Sequence, residues 1–329
     1  MQRQIILGMA VLFLLTFAAC NSDDNWNKEP ETGSSKIELA VTGRVGTLVG
    51  ENLAGYVKSL DLFLFRQNTG GVYQLFKNVS YNESEIEALT AGTTEAASGF
   101  TEPRTIDFGG LPVGIYVIVG VGNMRDSTGT DLPNATLSGI TTGNTMEEVI
   151  AAVTAGNTSP RIFFGQTEAI QLGAQQPATP QLSLFRKVAM FDLTLENVPS
   201  VVKRIDVQVG ETYGAFNMTG NFLNDRVISV TQQNNYNFSA NQPSLPISLI
   251  TMPTVTGEQS DITLIFYLDN GQTITIPLPS PYALKANTIT KLTATINADQ
   301  EGGQWNVDLT ISISADVEWN VDQEPGIII

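Results

Sequence analysis

The stretch that decides the fold is Trp305-Asn306-Val307-Asp308-Leu309-Thr310-Ile311-Ser312-Ile313-Ser314-Ala315-Asp316-Val317. Apolar side chains stand at every second position from 307 to 313, and polar side chains stand between them. A period of two is typical of a strand with one buried face and one face in water. The sequence therefore predicts a long, half-buried strand near the C-terminus.

Other segments repeat this pattern, and Asp269-Asn270-Gly271 between two of them predicts a hairpin turn. Because long helical crossovers are absent from the pattern, we expect β-sandwiches in place of a parallel sheet. The further predicted strands are Ile37 to Val41, Lys58 to Phe65, Tyr116 to Val121, Lys187 to Glu196, Arg204 to Val209, Asp261 to Leu268, Gln272 to Leu278 and Thr288 to Ile296.

Two short helices are predicted, at Ser84 to Leu89 and at Thr145 to Val153. Each begins with a hydroxyl residue that is followed three positions later by glutamate, a pattern typical of a capping box. Neither helix is long enough to dominate the fold.

A chain of 329 residues has room for about two domains. The best boundary is the polar, proline-bearing segment around Pro177 and Pro180. We therefore predict an all-β fold with two β-sandwich domains and short helical insertions. The predicted parts are 1–19 (signal peptide), 20–35 (flexible tether), 36–173 (N-terminal domain), 174–181 (linker) and 182–329 (C-terminal domain).

Composition excludes several classes of function. The chain has no histidine and only one cysteine, so it lacks the residues for Ser-His-Asp and Cys-His catalysis, for histidine-ligated zinc and for disulfides. A formal net charge of −16 makes nucleic acid an improbable partner. Counting alone leaves a catalytic pair of carboxylates open. We expect no metal and no cofactor.

The N-terminus has the three parts of a signal peptide: one charge at Arg3, an apolar run from Ile5 to Ala19, and a small residue before the cysteine. The run is shorter than the about 20 residues that a membrane-spanning helix needs. The segment that ends in Ala18-Ala19-Cys20 resembles a lipobox. This resemblance implies cleavage between Ala19 and Cys20, and a diacylglycerol and an acyl chain on Cys20.

Several segments together resemble a known family, the fimbrillin-like lipoproteins of type V pili, and within it the FimB-type fimbrial anchor subunits. The resemblance spans nearly the whole mature chain. The segments that carry it are Val57 to Phe65 with the turn Gly70-Gly71, Leu111 to Asn123, Arg161 to Gly165, Leu182 to Ala189 and Leu284 to Leu292.

This resemblance implies two transthyretin-like, Greek-key β-sandwich domains, a structural role in fimbriae and the absence of catalysis. It also implies fimbrial subunits as partners, joined by addition of an extended strand to an open sheet edge. The expected location is the outer membrane, held by the lipid and exposed at the surface, where a host or microbial ligand is a further conceivable partner.

The resemblance marks two places for assembly. Polymerising fimbrillins are cut after an arginine near Arg44, which would give a stalk or tip subunit that starts at Val45. We favour an intact Arg44 and therefore a lipid-anchored subunit. At the other end, Ile327, Ile328 and Ile329 would be awkward in water, and they form either a donor strand for another subunit or the end of a buried strand.

Two weaker patterns remain. The segment from Asp126 to Asp131 has oxygen ligands but lacks the spacing of a calcium loop, so we predict a plain turn. Ser127 in this segment lies in a short pattern that resembles an O-glycosylation site. The alternative function is a carbohydrate-binding outer-membrane lipoprotein, for which Trp26, Trp305 and Trp319 are the available indoles.

Overall fold

The computed structural model describes residues 37–45, 48–51, 53–90, 106–108, 110–173, 178–278, 282–301 and 304–319. The predicted signal peptide, Cys20 and the tether, together with Ile327 to Ile329, lie outside the described residues.

Strand is the main secondary structure of the described chain and helix is scarce, which confirms the predicted all-β class of β-sandwich domains. The first half forms β1 (Glu38–Val45), β2 (Leu48–Glu51), α1 (Leu53–Tyr56), β3 (Ser59–Gln67), β4 (Tyr73–Asn82), α2 (Glu83–Thr90), β5 (Ile106–Asp107), β6 (Gly114–Gly122), β7 (Ala135–Ser138), β8 (Ile150–Val153), β9 (Phe163–Gln166) and β10 (Ile170–Leu172). The second half forms β11 (Gln181–Arg186), β12 (Ala189–Val198), β13 (Val202–Tyr213), β14 (Ala215–Asn217), β15 (Val227–Asn235), β16 (Gln242–Thr251), β17 (Ile262–Leu268), β18 (Thr273–Pro277), β19 (Thr288–Glu301) and β20 (Gln304–Glu318).

The strands form four sheets. The first has the order β2-β1-β11-β9-β6-β3-β4, with β5 beside β1 and β10 beside β6. The sheets β16-β12-β19-β20 and β15-β13-β17-β18 pack against each other as a sandwich, and β14-β8-β7 is a small fourth sheet. Sheet pairing crosses the predicted linker at two places, because β11 pairs with β1 and β9, and β14 pairs with β8. The division of the chain at 174–181 stays a prediction.

Three apolar clusters hold these sheets together. The C-terminal cluster fills the sandwich, with Phe191, Leu264 and Leu292 among its members. The N-terminal cluster lies on one face of the first sheet, and the central cluster joins its other face to residues of the second half. Strand β3 is buried on both faces, because Leu62 contributes to the N-terminal cluster and Phe63 to the central cluster. The two halves therefore share a core.

Each of the nine predicted strands overlaps an observed strand, and in β20 the predicted alternation is observed from Trp305 to Ile311, before a register shift in the pairing with β19. The predicted turn between β17 and β18 is confirmed as well. Gly271 has a φ of +82°, and the Leu268 N–H donates to the Gln272 carbonyl at 2.9 Å. Glycine takes this conformation without the cost that a Cβ would add.

The predicted helix at Thr145 to Val153 is wrong. One turn forms, in which the Thr145 N–H donates to the Glu148 carboxylate at 2.7 Å, as in a capping box. The chain then enters β8, which pairs with β7 on one side and β14 on the other. Two neighbouring strands override the helical start signal, because β-branched Ile150 and Val153 fit a pleated sheet well.

Helix α2 confirms the other predicted helix, but its cap lies two residues earlier than the Ser84–Glu87 pair. The Glu85 N–H donates to the Asn82 side chain at 3.0 Å, and the Asn82 N–H donates to the Glu85 carboxylate at 2.8 Å. Asparagine is as good an N-cap as serine, so the same capping logic applies in a different register.

Asn123 connects three segments at the end of β6. It adopts a left-handed φ of 63° and is 8% exposed. Its side chain accepts from the Lys58 N–H at 2.7 Å and donates to the carbonyls of Tyr56 and Arg161, each at 2.9 Å. Asparagine tolerates this backbone conformation and supplies both donors and an acceptor, which gives a physical reason for the asparagine that ends the segment Leu111 to Asn123.

Candidate functional site

The candidate site is the N-terminal strand β1 with its neighbours. Strand β1 pairs with three strands: it runs parallel to β11, with Ala40 opposite Gln181 and Gly43 opposite Leu184, and antiparallel to β2 and β5. A parallel pair cannot be closed by a short turn, so β1 reaches β11 only through the intervening fold. Strand β1 therefore fills a slot in the first sheet.

Ile37, directly before β1, is fully buried in the N-terminal cluster, together with Leu182 and Leu184 of β11. Complete burial of an isoleucine side chain contributes about 1.5–3 kcal/mol of stability. The first strand therefore closes part of the apolar core, and its withdrawal would expose both that core and one hydrogen-bonding edge of β11.

The predicted processing bond, Arg44–Val45, lies within the paired part of β1. Arg44 is opposite Val49 and Val45 is opposite Leu48 of β2, with a register shift between Gly43 and Arg44. Proteases cut paired strands only after local opening, and exposed loop tips are their preferred substrates. Cleavage at Arg44 stays a prediction, and it would require β1 to separate from β2.

Strand β11 is positioned by a close approach to β9. A Cβ atom at Gly165 would lie 2.1 Å from the Ser183 carbonyl oxygen, so only glycine allows the two strands to come this close. The glycine that ends the segment Arg161 to Gly165 is thus explained by packing. It keeps β11 in the place where β1 pairs with it.

Arg186 at the end of β11 holds the C-terminal end of β20. It is 2% exposed, its Nη1 donates to the Trp319 carbonyl at 2.8 Å, and its guanidinium lies 4.6 Å from the centre of the fully buried Trp319 ring. A buried guanidinium needs such partners because desolvation of a charge is costly. Trp319, the last described residue, is therefore held by a residue only two positions after Leu184, where the pairing of β11 with β1 ends.

Lys187 follows Arg186 and sits among aromatic rings. Its ammonium lies 4.5 Å from the ring centre of Phe222 and 5.1 Å from that of Phe164, and it donates to the Gly220 carbonyl at 2.7 Å. Burial lowers the pKa of the Lys187 ammonium below its usual value. This cation–aromatic contact fixes β11 against the turn that follows β14.

The segment from Asp126 to Asp131 forms the predicted turn. The Asp126 carboxylate accepts hydrogen bonds from the Thr128 hydroxyl and from the backbone N–H groups of Thr128 at 2.8 Å and Thr130 at 3.0 Å. These hydrogen bonds lower the pKa of the Asp126 carboxyl. Asp126 is thus turned towards its own loop. In the described part of the chain, no three metal-ligating side chains are grouped to hold an ion. Ser127 lies exposed in this turn, and its glycosylation stays a prediction.

An ion-pair network lies beside this turn. Arg125 contacts the buried Asp61 and the exposed Asp131, each at 3.2 Å. Desolvation raises the pKa of the Asp61 carboxyl, and hydrogen bonding by Ser80 and the charge of Arg125 offset this only in part. Asp61 is 2% exposed and its Oδ2 atom has no hydrogen-bond partner, so ionisation here is costly.

We expect Asp61→Asn to change how stability depends on pH. A carboxyl whose pKa is raised on folding contributes stability below its unfolded pKa, and that contribution is lost as pH rises through the folded pKa. The variant cannot ionise at this position. Urea unfolding from about pH 3 to about pH 7 should therefore show the stability of the variant rising relative to the unchanged protein. Parallel curves would contradict the assignment, and Asp131→Asn at the exposed partner serves as control.

The two described indoles do not form a platform for sugars. Trp319 is fully buried, and Trp305 is partly buried against the C-terminal cluster. Trp26 lies outside the described residues. In addition, neither of the two helices that the structure describes is long and apolar enough to cross a membrane.

Sequence reasoning identified β1 but missed its partners. It included Leu182 to Ala189 among the segments that carry the family resemblance, without assigning roles to Arg186 or Lys187. A basic pair at the end of an alternating apolar strand was the available signal. The structure brings Arg186 to Trp319, 133 residues later in the chain, and no local pattern predicts that contact.

The chain is all-β, its first strand belongs to the core, and its two halves share that core. It therefore falls in the class of multi-sheet β-sandwich proteins. The chain belongs to the family of fimbrillin-A associated anchor proteins, whose sequence profile matches residues 31–324. The resemblance to fimbrial anchor subunits is thus confirmed. No curated protein gives a significant match.

Solved structures of similar fold agree with this family. A proposed adhesin from Bacteroides ovatus matches with a TM-score of 0.54 at 14% identity, over 87% of this chain and 96% of its own. The fimbrial anchor protein Mfa2 from Porphyromonas gingivalis gives 0.53 at 11%, over 84% and 97%. A proposed polysaccharide-binding protein from Bacteroides thetaiotaomicron gives 0.51 at 12%, over 85% and 98%. At these identities the likeness concerns the fold.

Proposed function

We propose that this protein is a fimbrial anchor or accessory subunit, held at the outer surface of the outer membrane by lipid on Cys20. The observation that carries the proposal is the position of β1. Ile37 is buried in the N-terminal cluster, and the strand pairs on both sides, with β2 and β11. A subunit that keeps this strand also keeps the chain that leads back to Cys20.

The alternative is a polymerising stalk or tip subunit that is cut after Arg44. Such a cut would leave β11 with an open edge and the N-terminal cluster uncovered, which is a state that a donor strand could fill. The pairing of Arg44 and Val45 with β2 makes this bond a poor substrate in the folded protein. This geometry supports the anchor.

Joining to fimbrial subunits is proposed to occur by strand addition, with Ile327 to Ile329 as the donor segment. In the sequence the segment follows Trp319, the last described residue, whose carbonyl accepts a hydrogen bond from Arg186. Ten residues follow this fixed point, and an extended chain spans about 3.3 Å per residue. This length is sufficient for a donor strand that reaches a neighbouring subunit.

The test follows the N-terminus of the protein on cells. We expect the surface-exposed protein to begin at lipidated Cys20 and to pull down fimbrial subunits. Arg44→Ala should change neither result, whereas Cys20→Ser should release the protein from the membrane. A mature chain that starts at Val45 would overturn the anchor proposal, and so would glycan binding on an array with no fimbrial subunit recovered.

A further inference from the structure

The sandwich of the second half ends in four edge strands, which differ in their ability to accept another strand. Strand β16 has Pro243 and Pro246, and β18 ends in Pro277. Proline cannot donate to a ladder, so it protects an edge. On β15, the Gly156 N–H already donates to the Ser229 carbonyl at 2.9 Å. Strand β20 contains no proline, and in the described part of the chain it pairs with β19 alone.

On the outer edge of β20, side chains and not another strand form hydrogen bonds with the main chain of Trp305 and Leu309. The Trp305 N–H donates to the Gln272 side chain at 2.9 Å, and the Gln272 amide donates to the Trp305 carbonyl at 2.7 Å. The Leu309 N–H donates to the Asp308 carboxylate at 2.8 Å. Because backbone direction alternates along a strand, the main-chain groups of Val307 and Ile311 point to the same outer edge.

The side chains of these same residues line an apolar seam. Trp305, Val307, Leu309 and Ile311 are partly buried against the C-terminal cluster. Across the seam, Ile274 and Ile276 of β18 are also only partly buried. An edge strand with outward main-chain groups and an incompletely covered apolar face has both features that strand addition uses.

The rim of the seam is acidic. The sequence contains no lysine or arginine from Val227 to Leu284 or from Leu292 to Ile329. Asp299 and Glu301 lie opposite Asn306 and Gln304 of β20, Asp308 lies within β20, and Asp269 lies in the turn that leads to Gln272, whose side chain bonds to Trp305. Complementary charge selects partners and speeds their encounter, so this rim favours a basic segment.

From these observations we propose that the outer edge of β20, between Trp305 and Ile311, accepts an extended segment of another protein. The segment has apolar residues at alternate positions, which enter the seam towards Ile274 and Ile276, and lysine or arginine at its ends. The incoming strand replaces the hydrogen bonds that Gln272 and Asp308 now make. This acceptor is independent of the anchor role, because it uses neither β1 nor Cys20.

The chain's own terminal segments suit the seam poorly. Residues 320–329 contain Asp322 and Glu324 and no lysine or arginine, and residues 21–35 contain four acidic residues and one lysine. Like charges at the rim would oppose both segments.

The test uses short synthetic peptides in which valine alternates with threonine, and whose ends carry paired lysines, serines or glutamates. We expect the lysine-ended peptide to bind the full chain at least about tenfold more tightly than the glutamate-ended one, with the difference reduced by salt. Val307→Pro, which removes an outward N–H of β20, should weaken binding by about tenfold or more.

The matched control is Thr275→Pro, which places proline at an outward position of β18 and should leave binding unchanged. Hydrogen exchange on the unchanged protein gives a readout without a variant, since the peptide should protect the amides of Val307 and Ile311. Equal binding of all three peptides would overturn the proposal. So would loss of binding in Thr275→Pro alone, or the absence of added protection at β20.

Discussion

Replacing Trp319 with alanine is expected to lower the free energy of unfolding by about 4 kcal/mol, measured by urea denaturation. The indole is fully buried in the central cluster, which joins the two halves of the chain. Its loss leaves a cavity and removes the ring that lies 4.6 Å from the Arg186 guanidinium. The buried charge then keeps its hydrogen bond to the residue 319 carbonyl but loses the aromatic face.

Trp319→Phe is the matched control, and its cost should be roughly half that of the alanine variant or less. Phenylalanine keeps an aromatic face for Arg186 and removes the indole Nε1, which has no hydrogen-bond partner among the described residues. A loss below about 1 kcal/mol in Trp319→Ala would contradict the central place that we give to this contact.

Removal of the first strand is expected to have the second large effect. In a chain that starts at Val45, the free energy of unfolding should fall by more than about 3 kcal/mol, the upper value for burial of Ile37 alone. The further loss arises because β2 and β11 lose their shared partner. A synthetic peptide of residues Lys36 to Arg44 should bind this shortened chain and restore stability by mass action, as a rise in melting temperature with peptide concentration.

Two controls make this experiment specific to the slot. The chain that starts at Lys36 already fills the slot, so it should not bind the peptide. The same peptide with Ile37→Asp should bind the shortened chain far more weakly, because it would bring an unpaired charge into the N-terminal cluster. Equal binding of both peptides, or binding to the longer chain, would show that β1 does not occupy an exchangeable slot.

Local alternation of apolar and polar residues was sufficient to predict the strands that bury only one of their two faces. In β20 and β12, apolar residues at every second position decide the buried side, so the period of two is visible in the sequence. Strands such as β15 and β16 are harder to identify, because β15 ends in Gln232 to Asn235 and β16 contains two prolines. Their strand form comes from pairing with β13 and β12.

The rest of the site depends on contacts that no local pattern contains. Strand β1 was predicted, but its parallel pairing with β11 was not, because the partner lies in the other half of the chain. The segment from Thr145 to Val153 shows the same limit in reverse: its capping signal was real, and two distant strands overrode it. Sequence gives the elements here, and tertiary pairing assigns their partners.

The parallel pairing of β1 with β11 also sets an order of events. The ribosome releases β1 first, whereas its partner is made much later, after the whole of the first half. Hairpins such as β3–β4 and β17–β18 close quickly. The β1–β11 pair forms late in folding, because closing so long a loop has a large entropic cost. For a time, β11 can be present before β1 has docked. Which strand occupies the slot then depends on a race between an intramolecular segment and any competing chain nearby.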